Sequence, residues 1–188
     1  MNINKAKGYL ISMMLIVTNL IFYPAYSAEK ITFYISILSR SITVEELENF
    51  SKRGVKSQFL KRVLKNQNER EIREILRKEY KAPIKLTSRL LYSKIGGVIL
   101  KRVSKIIYPY RIPEESISIV ALKAATIEAI AKGDETINII SFIKAYPSKV
   151  IAIDVSELLK VINKVESTNE LVRFFSNAPL DKLKKDSN

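Results

Sequence analysis

From residue 30 to 37 apolar and polar side chains alternate. Ile31, Phe33, Ile35 and Ile37 fall on one face, and Thr32, Tyr34 and Ser36 on the other. A period of two marks a half-buried strand, and residues 40–43 are placed to return beside it. At Thr43-Val44-Glu45-Glu46 the period changes. A Thr followed three residues later by Glu is a capping box, in which hydroxyl and carboxylate each accept from a backbone N–H left open at a helix start. The helix it opens turns Val44, Leu47 and Phe50 inward and ends near Gly54.

Three/four spacing dominates beyond that point. Residues 57–64 place Phe59, Leu60, Val63 and Leu64 on one side. Asn68-x-x-Glu71 caps a helix to about Tyr80 with Ile72, Ile75, Leu76 and Tyr80 inward. Glu69/Arg73 and Glu74/Lys78 are four-apart pairs of the favourable order. Pro83 stops that helix. Helices over 87–92 and 93–107 follow, the second with Ile95, Ile99, Val103 and Ile106 inward, and Gly96-Gly97 permits close approach to a neighbour. The stretch YPYRIP, 108–113, predicts a rigid connector.

Residues 114–132 give the clearest helix. Ile117, Val120, Ala121, Ala124, Ile127 and Ile130 keep the spacing, Gly133 stands at the C-cap place, and the many Ala residues predict close helix approach. A helix over 136–145 ends at Pro147. Residues 149–155 alternate again and predict a second strand, able to pair with the first. Asp154-x-x-Glu157 caps the next helix, and 167–175 predicts the last. The expected fold is mostly α: a compact bundle of about six to eight short helices with a small two- or three-stranded β element, strands near 31–37 and 149–155.

The first 28 residues follow a different rule. Lys5 and Lys7 precede a charge-free run of 21 residues, 8–28, whose core YLISMMLIVTNLIFY is strongly apolar. Pro24 breaks it, and Ala25-Tyr26-Ser27 offers small residues ahead of a cut before Ala28, the order of a secretory signal. The apolar core is shorter than the ~20 residues that span a bilayer. An uncleaved anchor is the competing reading. The expected layout is a signal at 1–27, one helical domain at 28–176 and a solvated tail at 177–188. Both readings place the domain outside the cytoplasm, in a periplasm, a thylakoid lumen or the extracellular space.

With 188 residues, 47% of them hydrophobic, the chain can bury a core as one domain. It contains no Cys and no His. Disulfides and thiolate nucleophiles are therefore excluded, and so is a Ser-His-Asp triad. The commonest metal ligand and the usual base near neutral pH are missing too. Glycines 8, 54, 96, 97 and 133 bracket no serine as G-x-S-x-G. No G-x-G-x-x-G or P-loop occurs. Ser93/Lys94 and Ser104/Lys105 are formal Ser-Lys pairs, but adjacent residues on a helix do not face each other. Glu45, Glu46 and Glu48 form an acidic group in a helix first turn, where Glu is expected for dipole reasons. No catalytic residue, metal site or cofactor is expected.

Charge is uneven. The formal net charge is +13, while residues 50–111 hold eighteen Lys/Arg against four Glu, a balance of +14. Lys52, Arg53, Lys56, Lys61, Arg62 and Lys65 lie around the early helices, and Lys101, Arg102 and Lys105 on the later one. The plain reading is a solvated face. The functional reading is a surface for something anionic. Nucleic acid is not expected, because no motif and no regular aromatic interleaving accompanies the charge. Anionic lipid head groups suit it, each nearby cation adding about 1 kcal/mol, and an acidic protein is equally allowed.

In order, AEKITFYI, SITVEELENF, REIREILRKEY, PIKLTSRLLYSKIGGVILKRV and ALKAATIEAIAKGDETINIISFIKAYPSKVIAIDVSELL resemble the N-terminal domain of unknown function of exported cyanobacterial α/β-hydrolase-like proteins. The similarity spans about Ala28 to Leu159. It implies an exported, mostly helical domain that precedes a hydrolase domain in typical members. Here the chain ends soon afterwards, so no catalytic residue is carried over, and its middle is more basic than the family pattern. The expected function is a non-catalytic accessory domain docking on a protein partner. The alternatives are a peripheral binder of anionic membrane surface and a hydrolase associated through its family alone.

Overall fold

Ala28 is buried, and Glu29 and Lys30 both donate their backbone N–H to the Lys149 carbonyl, at 2.9 and 3.1 Å. The computed structural model describes residues 27–162; the expected signal apart from its last residue, Ser27, the 167–175 helix and the tail lie outside the described residues. The order is β1 (Lys30–Ile35), β2 (Leu38–Thr43), α1 (Val44–Arg53), α2 (Gln58–Val63), α3 (Glu69–Arg77), β3 (Tyr80–Lys81), α4 (Ile84–Tyr92) and α5 (Lys94–Val103). There follow β4 (Ile107–Pro109), α6 (Glu115–Lys132), β5 (Thr136–Ile137), α7 (Ile139–Ala145), β6 (Val150–Asp154) and α8 (Val155–Ile162).

Mostly helical is therefore right, with eight helices among the described residues. The strand count is corrected. Four strands form a mixed sheet in the order β2-β1-β6-β4, and β3 and β5 form a separate antiparallel pair. The two predicted strands, β1 and β6, are the central pair and run parallel, Ile31 opposite Ile151. The expected return strand is β2, antiparallel to β1. The additional strands fall where helix or connector was expected. β4 takes the end of the 93–107 helix and the start of the connector. Its Pro109 has no N–H to donate, which an edge strand tolerates, and β4 pairs with β6 alone. β3 and β5 replace a helix end and a helix start.

Local capping chemistry sets the helix boundaries. Glu46 donates its N–H to Thr43 Oγ1 at 3.0 Å, and Thr43 its own to Glu46 Oε2 at 2.8 Å. Gly54 closes α1 at φ 73°, a left-handed angle that Gly adopts without penalty. The four-apart pairing predicted for α3 is replaced. Arg73 crosses to the end of α1 and donates to the Ser51 and Lys52 carbonyls at 3.2 and 2.9 Å. Glu69 pairs with Lys56, and Arg70 with Glu74. A guanidinium satisfies two open helix carbonyls there, which a surface pair cannot do.

The face of α6 is also corrected. Ser118, Ala121, Leu122, Ala125, Ala129 and Ile130 are buried, while Ile117, Val120 and Ala124 are exposed. Packing against α7 and β4 selects the small-residue side. Ser118 and Thr126 fit there because each hydroxyl donates to a carbonyl of its own helix, at 2.7 and 2.8 Å. Gly96 allows α5 to meet the preceding turn: a Cβ there would lie 1.8 Å from the Leu90 carbonyl oxygen, whereas nothing approaches Gly97 within 4 Å.

The core gathers Ile31, Ile42, Phe50, Leu60, Leu122, Ile143, Tyr146 and Ile151 from both terminal strands and the helices between. Tyr146 is fully buried and its hydroxyl has no partner among the described residues. The predicted inward set of β1 holds for Ile31 and Phe33 and fails for Ile35 and Ile37, which are exposed. Both lie past Tyr34, the last β1 residue that faces β6 in the register.

Candidate functional site

Beneath the sheet lies a groove of about 450 Å³. Ile106 and Ile107 line it at the start of β4, Ile151 and Ile153 from β6, and Tyr80 and Ile137 from the small β3–β5 pair. Ile139, Phe142 and Ile143 of α7 and Leu158 of α8 complete it. Alternation along β6 sends Ile151 and Ile153 to one side, and the three/four spacing of α7 turns Ile139, Phe142 and Ile143 toward them. Besides the Tyr80 phenol, Asn138 is the one polar residue of the lining. Its side chain accepts the Ser141 N–H at 2.8 Å and its N–H donates to Ser141 Oγ at 2.9 Å, so it is occupied in capping α7. At the edge, Lys78 Nζ stands 5.4 Å from the centre of the Tyr80 ring. The volume lies within the ~300–1,000 Å³ of small-molecule and peptide-side-chain sites. Binding in such a lining proceeds by removing apolar surface from water.

The nine predicted basic residues are divided by the fold. Lys52 and Arg53 end α1, Lys56 follows it, and Lys61, Arg62 and Lys65 lie on or just after α2. Lys101 and Arg102 lie on α5 and Lys105 just beyond it; α5 packs on α4 and α6 rather than on α1. Lys52 pairs with Glu48 at 2.6 Å, Lys56 with Glu69, and Lys101 with Glu115 at 3.1 Å. Arg53, Lys61, Arg62, Lys65 and Lys105 have no acidic partner among the described residues.

The other candidates have structural duties. Ser93 Oγ donates to the Leu90 carbonyl and accepts the Gly96 N–H. Ser104 is buried and donates to the Lys101 carbonyl. Neither hydroxyl is directed at the adjacent lysine. Glu46 is the capping carboxylate, and Glu48 bridges α1 and α7 through Lys52 and Lys144; these two ammonium groups hold its carboxyl below the usual value. Among the described residues no three acidic side chains are grouped to hold a metal. Tyr110 stacks on Tyr34 at 6.3 Å. Its hydrogen bond with Arg111 draws its phenol down, while burial pushes that of Tyr108 up.

The model of the family described as alpha/beta hydrolase of unknown function, DUF1400, matches residues 27–154. The chain belongs to this family. The DUF1400 match runs from the point where the chain enters the core to the last residue of β6, so it takes in every groove residue except Leu158. No curated protein and no solved structure matches the chain. The groove itself was not legible in the sequence of this DUF1400 protein. Its residues come from six separate elements, and each by itself reads as an ordinary packing or capping position.

Proposed function

We propose that this DUF1400 chain is an exported, non-catalytic accessory module that docks on a protein partner, a hydrolase of the kind its family name describes. An apolar element of that partner is seated in the groove. The observation that carries the reading is the lining. It is apolar or aromatic except for Asn138, whose side-chain oxygen is occupied in its cap. Acyl transfer requires a nucleophile, a base and oxyanion donors around one reacting carbon. A chain without His, whose groove offers the Tyr80 phenol but no carboxylate, amine or imidazole, is suited to binding instead. Export is carried by the basic start and charge-free run ahead of Ala28, and a cyanobacterial source by the ordered resemblance of the segments.

The test is native co-purification with the wild-type chain and with Ile139→Asp. Ile139 is an exposed groove residue at the first position of α7, where an acid suits the helix. The expected result is a stoichiometric complex with an α/β-hydrolase that the substitution abolishes. Ester hydrolysis by the pure chain, or a complex indifferent to Ile139→Asp, overturns the reading.

A second reading is peripheral binding to an anionic membrane surface. It is favoured by Arg53, Lys61, Arg62 and Lys65, which cluster along the α1–α2 segment without an acidic partner among the described residues. Salt-sensitive co-sedimentation with anionic vesicles, beyond that with neutral ones, is its expected signature.

A further inference from the structure

We propose that the tip of the β1–β2 hairpin is a bilayer-insertion point, set among cations that match an anionic lipid surface. The inference rests on the membrane reading and names the element that enters the lipid.

Ile35, Ile37 and Leu38 follow one another around the turn and are 56%, 96% and 63% exposed. Single exposed apolar side chains are ordinary, whereas a contiguous group at a protruding tip marks an interaction site. Ser36 adopts φ 54° between them, a left-handed angle uncommon for a residue other than Gly. The turn therefore holds Ile37 outward at a backbone cost.

The chain on either side of the tip and of α2 carries cations and no acid. Phe33 stacks on Phe59 at 6.2 Å, which brings that side chain of α2 to the hairpin. Arg62, three residues after Phe59, shares that side of α2. Arg40 stands opposite Phe33 in the strand register. No acid occurs from 30 to 44 or from 54 to 68. The nearest acids in the register belong to β6 and α8. Asp154, opposite Tyr34, accepts the Glu157 N–H at 3.0 Å, and Glu157 pairs with Lys160 at 2.6 Å. An apolar wedge flanked by Arg40 and Arg62, which have no acidic partner among the described residues, is complementary to phosphate head groups over acyl chains. A protein pocket would satisfy the apolar tip without any need for the cations.

The chain lacks Cys, so Ile37→Cys accepts a polarity-sensitive fluorophore at that position alone. The full chain is used, because the dye reports position 37 whether or not residues 1–28 also bind lipid. Anionic vesicles are expected to shift the emission to the blue. Neutral vesicles, and the same dye at the exposed Ala131→Cys on α6, are expected to leave it unchanged. Arg62→Glu combined with Lys65→Glu is expected to remove the shift. Salt-sensitive, anion-selective sedimentation with an aqueous emission at position 37 overturns the tip inference and leaves the membrane reading standing. Sedimentation without anion selectivity overturns both. A blue shift without vesicles that grows with protein concentration assigns the tip to a second copy of the chain and overturns the inference.

Discussion

Two adjacent glycines have opposite roles. Gly96 is held against backbone, since a Cβ would meet the Leu90 carbonyl oxygen at 1.8 Å and its carbon at 2.8 Å. Gly97 faces open space. Gly96→Ala must push the α4–α5 turn apart and is expected to cost about 1–3 kcal/mol or more. Gly97→Ala is expected to stabilise by about 0.5–1 kcal/mol, because it relieves the entropy cost of Gly inside a helix. Urea midpoints of the two variants should move in opposite directions. Tyr146 gives a third case. Its hydroxyl is buried without a partner among the described residues, and burial alone pushes its phenol far up. Tyr146→Phe is expected to raise stability by about 1 kcal/mol, and an unchanged or lower melting temperature would refute the assignment. The sequence marked the glycine pair as a place of close approach. It held no sign of which one was pressed, because that depends on how the preceding turn comes back.

At the scale of the element, Glu48 ties α1 to α7. Lys52 contributes the larger effect and Lys144 the next in holding its carboxyl down. A carboxylate whose folded pKa is depressed contributes stability that is present above its unfolded pKa and is lost as pH falls through the folded value. Glu48→Gln is therefore expected to destabilise at pH 7, by under about 1 kcal/mol because both lysines are exposed and screened. The difference from wild type should shrink as pH drops below the ordinary 4.5 and vanish below the folded pKa. Denaturant titrations at pH 7 and pH 3 check it. Elements whose signals are local were legible. The Thr43–Glu46 box, the Asn68 cap and the Asp154 cap each depend on residues three apart in the chain. The α6 face was not, because that helix is apolar around most of its circumference and only its neighbours choose the small side. The α3 ion pairs failed for the same reason: Arg73 found better acceptors at the end of another helix.

For the whole molecule, the mostly helical class and the β1–β6 pairing were readable from two alternating stretches near the ends of the domain. The four-stranded extent of the sheet was not, since β4 carries only three residues, one of them a proline. The groove follows from the same topology, because strands and helices distant in sequence contribute to its walls. The interface and lipid proposals use opposite kinds of surface, a concave apolar one under the sheet and a convex apolar one at a sheet corner. The Ile139→Asp and Ile37→Cys experiments therefore test them independently.

The parallel pairing of β1 with β6 also governs when the molecule can take shape. Lys30 faces Val150 across 120 residues of chain. Closing so long a loop is paid before any sheet contact rewards it, which makes such pairings slow. At ~5–20 residues per second, synthesis separates the two strands by on the order of ten seconds. Throughout that interval β1 has its antiparallel hairpin partner and an open edge on the other side. The nascent chain thus passes through a stage in which Ile31, destined for the core, is uncovered beside unpaired backbone. A holding partner during synthesis or transport would find its grip there, on the first strand, until the last one arrives.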